Sequence, residues 1–145
     1  MMRKISAFLC AVMVLMSLML PAMAAEQEQQ VIDLGDGFYM VRTVVVIQTA
    51  ARAGSTVKGS TSGSLYYEGV KIGTATLYAA FDISGSSAVA EEAYLTGSGM
   101  NGFTYEDGGT YCGGNRASGT AMFESATVLK QLPLSISCTP DGELY

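Results

Sequence analysis

The sequence predicts an all-β fold beyond an N-terminal signal helix: an antiparallel β-sandwich, with a small β-barrel as the alternative. Three observations carry this. Apolar and polar residues alternate with period two in several segments, most clearly from Lys71 to Ile83. Seventeen glycines punctuate those segments with turn signals. No long helical pattern and no internal repeat appears beyond the first segment.

The elements follow in order. Met1-Met2-Arg3-Lys4 is a short basic start, and the 16 residues from Ile5 to Leu20 carry no charge. Pro21 follows, and Ala22 and Ala24 put small residues at the two positions a signal peptidase reads. Residues 1–24 are therefore expected to be a cleaved signal peptide and the protein to be secreted. The apolar run is shorter than the roughly 20 residues that span a bilayer. Cys10 lies inside that run rather than after it, so lipidation is not expected. Residues 25–36 read as a flexible lead-in, with a short edge strand from Val31 to Leu34.

The β domain is assigned to residues 37–140. Phe38 to Thr49 is its first strong strand, and the β-branched block Val44-Val45-Val46-Ile47 favours strand over helix. Arg42 and Gln48 occupy even positions, so the odd positions, Tyr39 through Ile47, are expected to face inward. Thr49 to Ala53 connects to a Ser/Thr/Gly-rich strand, Ser55 to Tyr67, and Glu68-Gly69 makes a tight turn. In the next strand Ala75, Leu77, Ala79, Phe81 and Ile83 share one face, and Thr74, Thr76, Tyr78 and Asp82 the other. Ser84 to Ser87 turns the chain into a strand from Ala88 to Thr96. Gly97 to Asn115 is dense in glycine and reads as a long loop, a feature of binding segments. Ala117 to Ala126 is a strand with Ala121 and Phe123 inward. Leu132 to Thr139 is the last, with Leu134, Ile136 and Cys138 on one face. Residues 141–145 read as a loose tail. Six or seven strands result, spaced for hairpins.

Past residue 24 the chain keeps six basic against thirteen acidic residues, a net charge of about −7. With no basic cluster, nucleic acid and anionic membrane are not expected partners. An exported chain with two cysteines is expected to join them, so Cys112 and Cys138 are assigned a disulfide, worth ~3–4 kcal/mol in the chain-entropy model.

The stretch Tyr66-Tyr67-Glu68-Gly69-Val70-Lys71-Ile72-Gly73, the alternation Leu77-x-Ala79-x-Phe81 and the turn Gly85-Ser86-Ser87-Ala88 form a pattern with the ending Ser137-Cys138-Thr139-Pro140-Asp141-Gly142. It resembles short secreted proteins of Firmicutes-type bacteria that carry one β domain of unknown function. Ala90 stands where that pattern often has a cysteine. The resemblance implies no activity and assigns no functional residue.

The chain offers little catalytic chemistry. The chain has no histidine, which removes a Ser-based triad, an activated thiol and the usual zinc set. Glu91-Glu92 are adjacent on a strand and are expected to point to opposite faces. Glu106-Asp107 lies in the glycine-rich segment, and its carboxylates are read as solvated. Asp33-x-x-Asp36-Gly37 lacks the ligand spacing of a calcium loop. No enzyme, metal or cofactor is expected. Binding is the better prospect, through Tyr66, Tyr67, Tyr105 and Tyr111, because tyrosine combines a broad rigid surface with a polar tip. The expected role is non-enzymatic binding of a macromolecule at the cell surface or outside the cell; the alternative is a bacteriocin-like or inhibitory protein.

Overall fold

The structure is a computed structural model and describes residues 29–48 and 54–145. The signal peptide, its Ala22 and Ala24 cleavage signal, residues 25–28 and the connection at 49–53 lie outside the described residues. Eight strands and no helix occupy the described residues. They are β1 (Gln29–Gly35), β2 (Phe38–Gln48), β3 (Ser55–Tyr67), β4 (Val70–Ser84), β5 (Ser87–Gly99), β6 (Thr104–Gly113), β7 (Arg116–Glu124) and β8 (Leu129–Ser137).

Strands β1 to β5 form one antiparallel sheet in sequence order, and β6 to β8 form a second. The two pack face to face as a sandwich, and neither closes into a barrel. Tight turns build this order. Glu68-Gly69 has φ of 48° and 82°, a type I′ geometry that matches strand twist. The chain changes sheet after β5, at a turn whose Asn101 and Gly102 have φ of 54° and 87°. The Asn101 amide donates to the Lys71 carbonyl at 2.7 Å and ties that turn to β4.

The core is the shared inner face. Val57, Leu65, Leu77 and Phe81 from the large sheet meet Ala121, Phe123, Leu132 and Ile136 from the small one, all buried. The alternation read in β4, β7 and β8 is the observed one. Gly73 sits directly under Phe123, where a Cβ would overlap the ring, so the bulky phenylalanine is matched by a bare backbone.

Three expectations change and one extends. In β2 the even face is inward: Phe38 and Met40 are buried and Val44 packs on the core. Arg42 shares that face at the sandwich margin. Its Nε donates to Thr61 Oγ1 at 3.1 Å and its Nη2 to the Ser135 carbonyl at 2.7 Å, so the charge bridges the two sheets. The segment 97–115 is not a loop, because β5 continues to Gly99 and β6 fills most of the rest. The edge strand expected from Val31 to Leu34 is found as β1; it starts two residues earlier, at Gln29, and pairs with β2 along its length. The C-terminal residues are not loose: Tyr145 and Ser137 exchange backbone hydrogen bonds of 3.0 and 3.1 Å, and Leu144 pairs with Cys138.

The expected disulfide is also absent. Cys112 and Cys138 are free thiols. Cys112 lies opposite Ala117, and Cys138 follows Ser137, which lies opposite Arg116. Cys112 thus shares its cross-strand row with Ala117 and Ile136, two strands over, and Cys138 lies two residues farther along, beside Asn115 of the β6–β7 turn, whose carbonyl accepts its N–H at 2.9 Å. Two strand spacings amount to roughly 10 Å, against the roughly 7 Å between Cα atoms that a disulfide tolerates.

Candidate functional site

The large sheet has one face in the core and one facing away from the small sheet. Cross-strand register decides which residues meet on the outer face. Tyr39 lies opposite Tyr66, and Tyr78 lies between Ser60 and Tyr94. The rings of Tyr39 and Tyr66 stack at 4.8 Å between centroids and 2° between planes. Those of Tyr78 and Tyr94 stack at 4.9 Å and 12°. Along β3 these aromatic pairs are six residues apart, about 20 Å at strand rise. Between them lie rows of hydroxyls. Ser62 and Thr76 are bonded at 2.9 Å, and Thr74 and Ser98 sit at 3.4 Å. Such cross-strand pairs stabilise the sheet and leave a flat surface that combines rings with hydroxyls.

Beside Tyr78 and Tyr94 the face dips into a groove of about 240 Å³. Ala80 forms the floor, because its short side chain leaves the space that a longer one would fill. Ile47, Lys58 and Glu92 complete the rim. The groove opens toward Thr56, Asp82 and Glu91. A β-bulge makes this end. Ala80 pairs with Glu92 and Phe81 with Ala90, so Glu91 is the extra residue on β5. The bulge suspends strict alternation. Glu91 and Glu92, expected on opposite faces, line the same depression. Among the described residues neither Lys58 nor Glu92 has an ion-pair or side-chain hydrogen-bond partner. The rim charges are thus available to a ligand.

The four tyrosines singled out in the sequence are dispersed. Tyr66 is on the outer face, stacked on Tyr39. Tyr67 turns to the inner margin, where its ring lies 4.4 Å from that of Phe38. Tyr105 also faces inward, over Gly97 and 5.8 Å from Phe123. Among the described residues its buried hydroxyl has no hydrogen-bond partner, and burial, followed by the Asp107 carboxylate, pushes its pKa up. Tyr111 is exposed on β6, on the outer side of the small sheet.

The carboxylates of β6 do not converge. Glu106 and Asp107 lie opposite Met122 and Ala121, on alternate faces of the strand. Asp107 Oδ1 accepts the Gly109 N–H at 2.7 Å and holds a second bulge, in which Gly109 has φ of 105°. Among the described residues, no three His, Cys, Asp or Glu side chains group closely enough for a metal ion. Burial, followed by Glu91 and Glu92, pushes the Cys112 thiol up and keeps it protonated at neutral pH.

Sequence reasoning missed Tyr39, Tyr78 and Tyr94. The available signal was the wet face assigned to Tyr78 in β4, carried across the Gly85-Ser86 hairpin to β5. Comparison of the chain with protein-family models, curated proteins and solved structures finds no match, and the resemblance to short secreted Firmicutes-type proteins gains no support from them.

Proposed function

We propose that this protein is an exported, non-enzymatic β-sandwich module that binds a macromolecule at the cell surface or outside the cell through the outer face of its large sheet. One observation carries the reading: two stacked tyrosine pairs stand on a sheet face that no other described element covers. Tyr94 is 57% exposed on that face, with Val31 and Ile47 also open to solvent. Rigid aromatic surface of this kind loses little conformational entropy on contact and is enriched at the centres of interfaces. The three-part layout of residues 1–24 supports export, and the acidic balance directs the face away from polyanions.

Sedimentation of the purified protein with intact bacterial cells and with isolated walls tests this. Wild type is expected to co-sediment, and Tyr39→Ala combined with Tyr94→Ala to lose most of the bound fraction while the fold is retained by circular dichroism. Equal binding by both proteins, or none by either, overturns the reading. Growth arrest of neighbouring strains by the purified protein would instead support the inhibitory alternative.

A further inference from the structure

We propose that the groove over Ala80 is a subsite for a neutral, hydroxyl-rich polysaccharide; this deepens the binding-face reading and rests on it. A sugar ring presents a patch of C–H groups edged by hydroxyls. A matching site needs flat apolar surface with uncommitted polar groups at its margin. The groove has both. The stacked rings of Tyr78 and Tyr94 form one wall, 4.9 Å between centroids. The Ala80 methyl group is the floor. Glu92 can accept hydroxyl donors at one end, and Lys58 can donate at the other.

Geometry favours this occupant over a peptide. An extended peptide recognised by strand addition needs a free backbone edge. Here the groove lies across the faces of β2, β3 and β4, which are paired on both sides; β5 is the edge of the sheet, but its Ala90 N–H donates to the Gly114 carbonyl at 2.8 Å and its Ala93 carbonyl accepts from Thr110 Oγ1 at 3.1 Å, so that edge is already engaged beside the groove. A peptide anchored by a bulky side chain needs a deep hole, whereas this groove is floored one methyl group above the sheet. Its rows lie about two strand residues apart, roughly 7 Å, and span four strands, roughly 14 Å. That shape suits a short run of flat rings lying across the strands.

Charge narrows the class. Asp82, Glu91 and Glu92 outnumber Lys58 at this end of the face. A polymer rich in phosphate, sulfate or uronate would meet like charge there, which is costly in a partly desolvated groove.

The experiment uses the purified protein with amorphous cellulose and chitin as neutral probes and carboxymethylcellulose as the anionic counterpart, read by pull-down and by affinity gel retardation. Retention on at least one neutral polymer is expected, with weaker retention on the anionic one. Tyr94→Ala and Glu92→Lys are each expected to reduce retention about tenfold, the loss typical of a central contact. Both positions are exposed, and unchanged thermal midpoints would show that the fold is retained. No retention on either neutral polymer overturns the assignment, as does retention that neither variant weakens. Intact cells separate the two claims. If Tyr94→Ala abolishes co-sedimentation with cells while the neutral polymers retain nothing, the glycan assignment fails and the binding face stands. If wild type binds neither cells nor polymers, both fall.

Discussion

Cys138 shows how one buried side chain sets a pH limit. It is fully buried on the inner face, its thiol donates to the Thr139 carbonyl at 3.4 Å, and burial pushes its pKa up. Cys112 and Tyr105 shift in the same direction, burial being the leading cause for each. A raised pKa means that the folded state holds its proton where the unfolded chain has begun to release it. Stability is therefore complete below the ordinary thiol range, about pH 8.5, and falls as pH rises from there toward the folded pKa. The urea midpoint is expected to stay level from about pH 7 to 8.5 and to decline by about pH 10. Cys138→Ala should make that decline shallower. A level wild-type profile up to pH 10 would refute the account.

Hairpins organise the fold, and their turns carry removable strain. Glu68 adopts φ of 48° in the β3–β4 turn, where an ordinary L residue is strained by ~1–2 kcal/mol. Asparagine accepts that conformation and precedes glycine in preferred type I′ turns. Glu68→Asn should therefore stabilise the protein by about 0.5–1 kcal/mol, measured by urea unfolding; a loss of stability would mean that the Glu68 side chain has a role its geometry does not reveal. The same hairpins explain what could be read from the chain. Strand β4 was legible because one face is uniformly apolar and the other uniformly wet. Strand β2 was inverted because β-branched residues occupy both faces and because Arg42, a charge expected in solvent, sends its guanidinium between the sheets. Strand β6 looked like a loop because Gly108 and Gly109 break its alternation at a bulge and most of its residues are exposed. The groove was hidden for a related reason. Its Tyr78–Tyr94 wall depends on the β4–β5 register, and its acidic end depends on one extra residue, Glu91, that no local pattern announces.

Both sheets draw on one continuous core, and polar links reinforce the junction. Lys130 Nζ donates to the Leu34 carbonyl at 2.9 Å and lies 4.9 Å from the centre of the Phe38 ring, while Arg42 reaches Ser135. Neither sheet can lose its partner without exposing Phe81 or Phe123, so the described sandwich should unfold as a unit. Urea transitions followed by far-ultraviolet circular dichroism and by tyrosine fluorescence are expected to coincide, and a separate transition for the three-stranded sheet would contradict this. The separation of the two cysteines gives the protein a further property. With both thiols free in the fold, no covalent closure is needed to reach it. A reducing medium and an oxidising one should yield the same native sandwich.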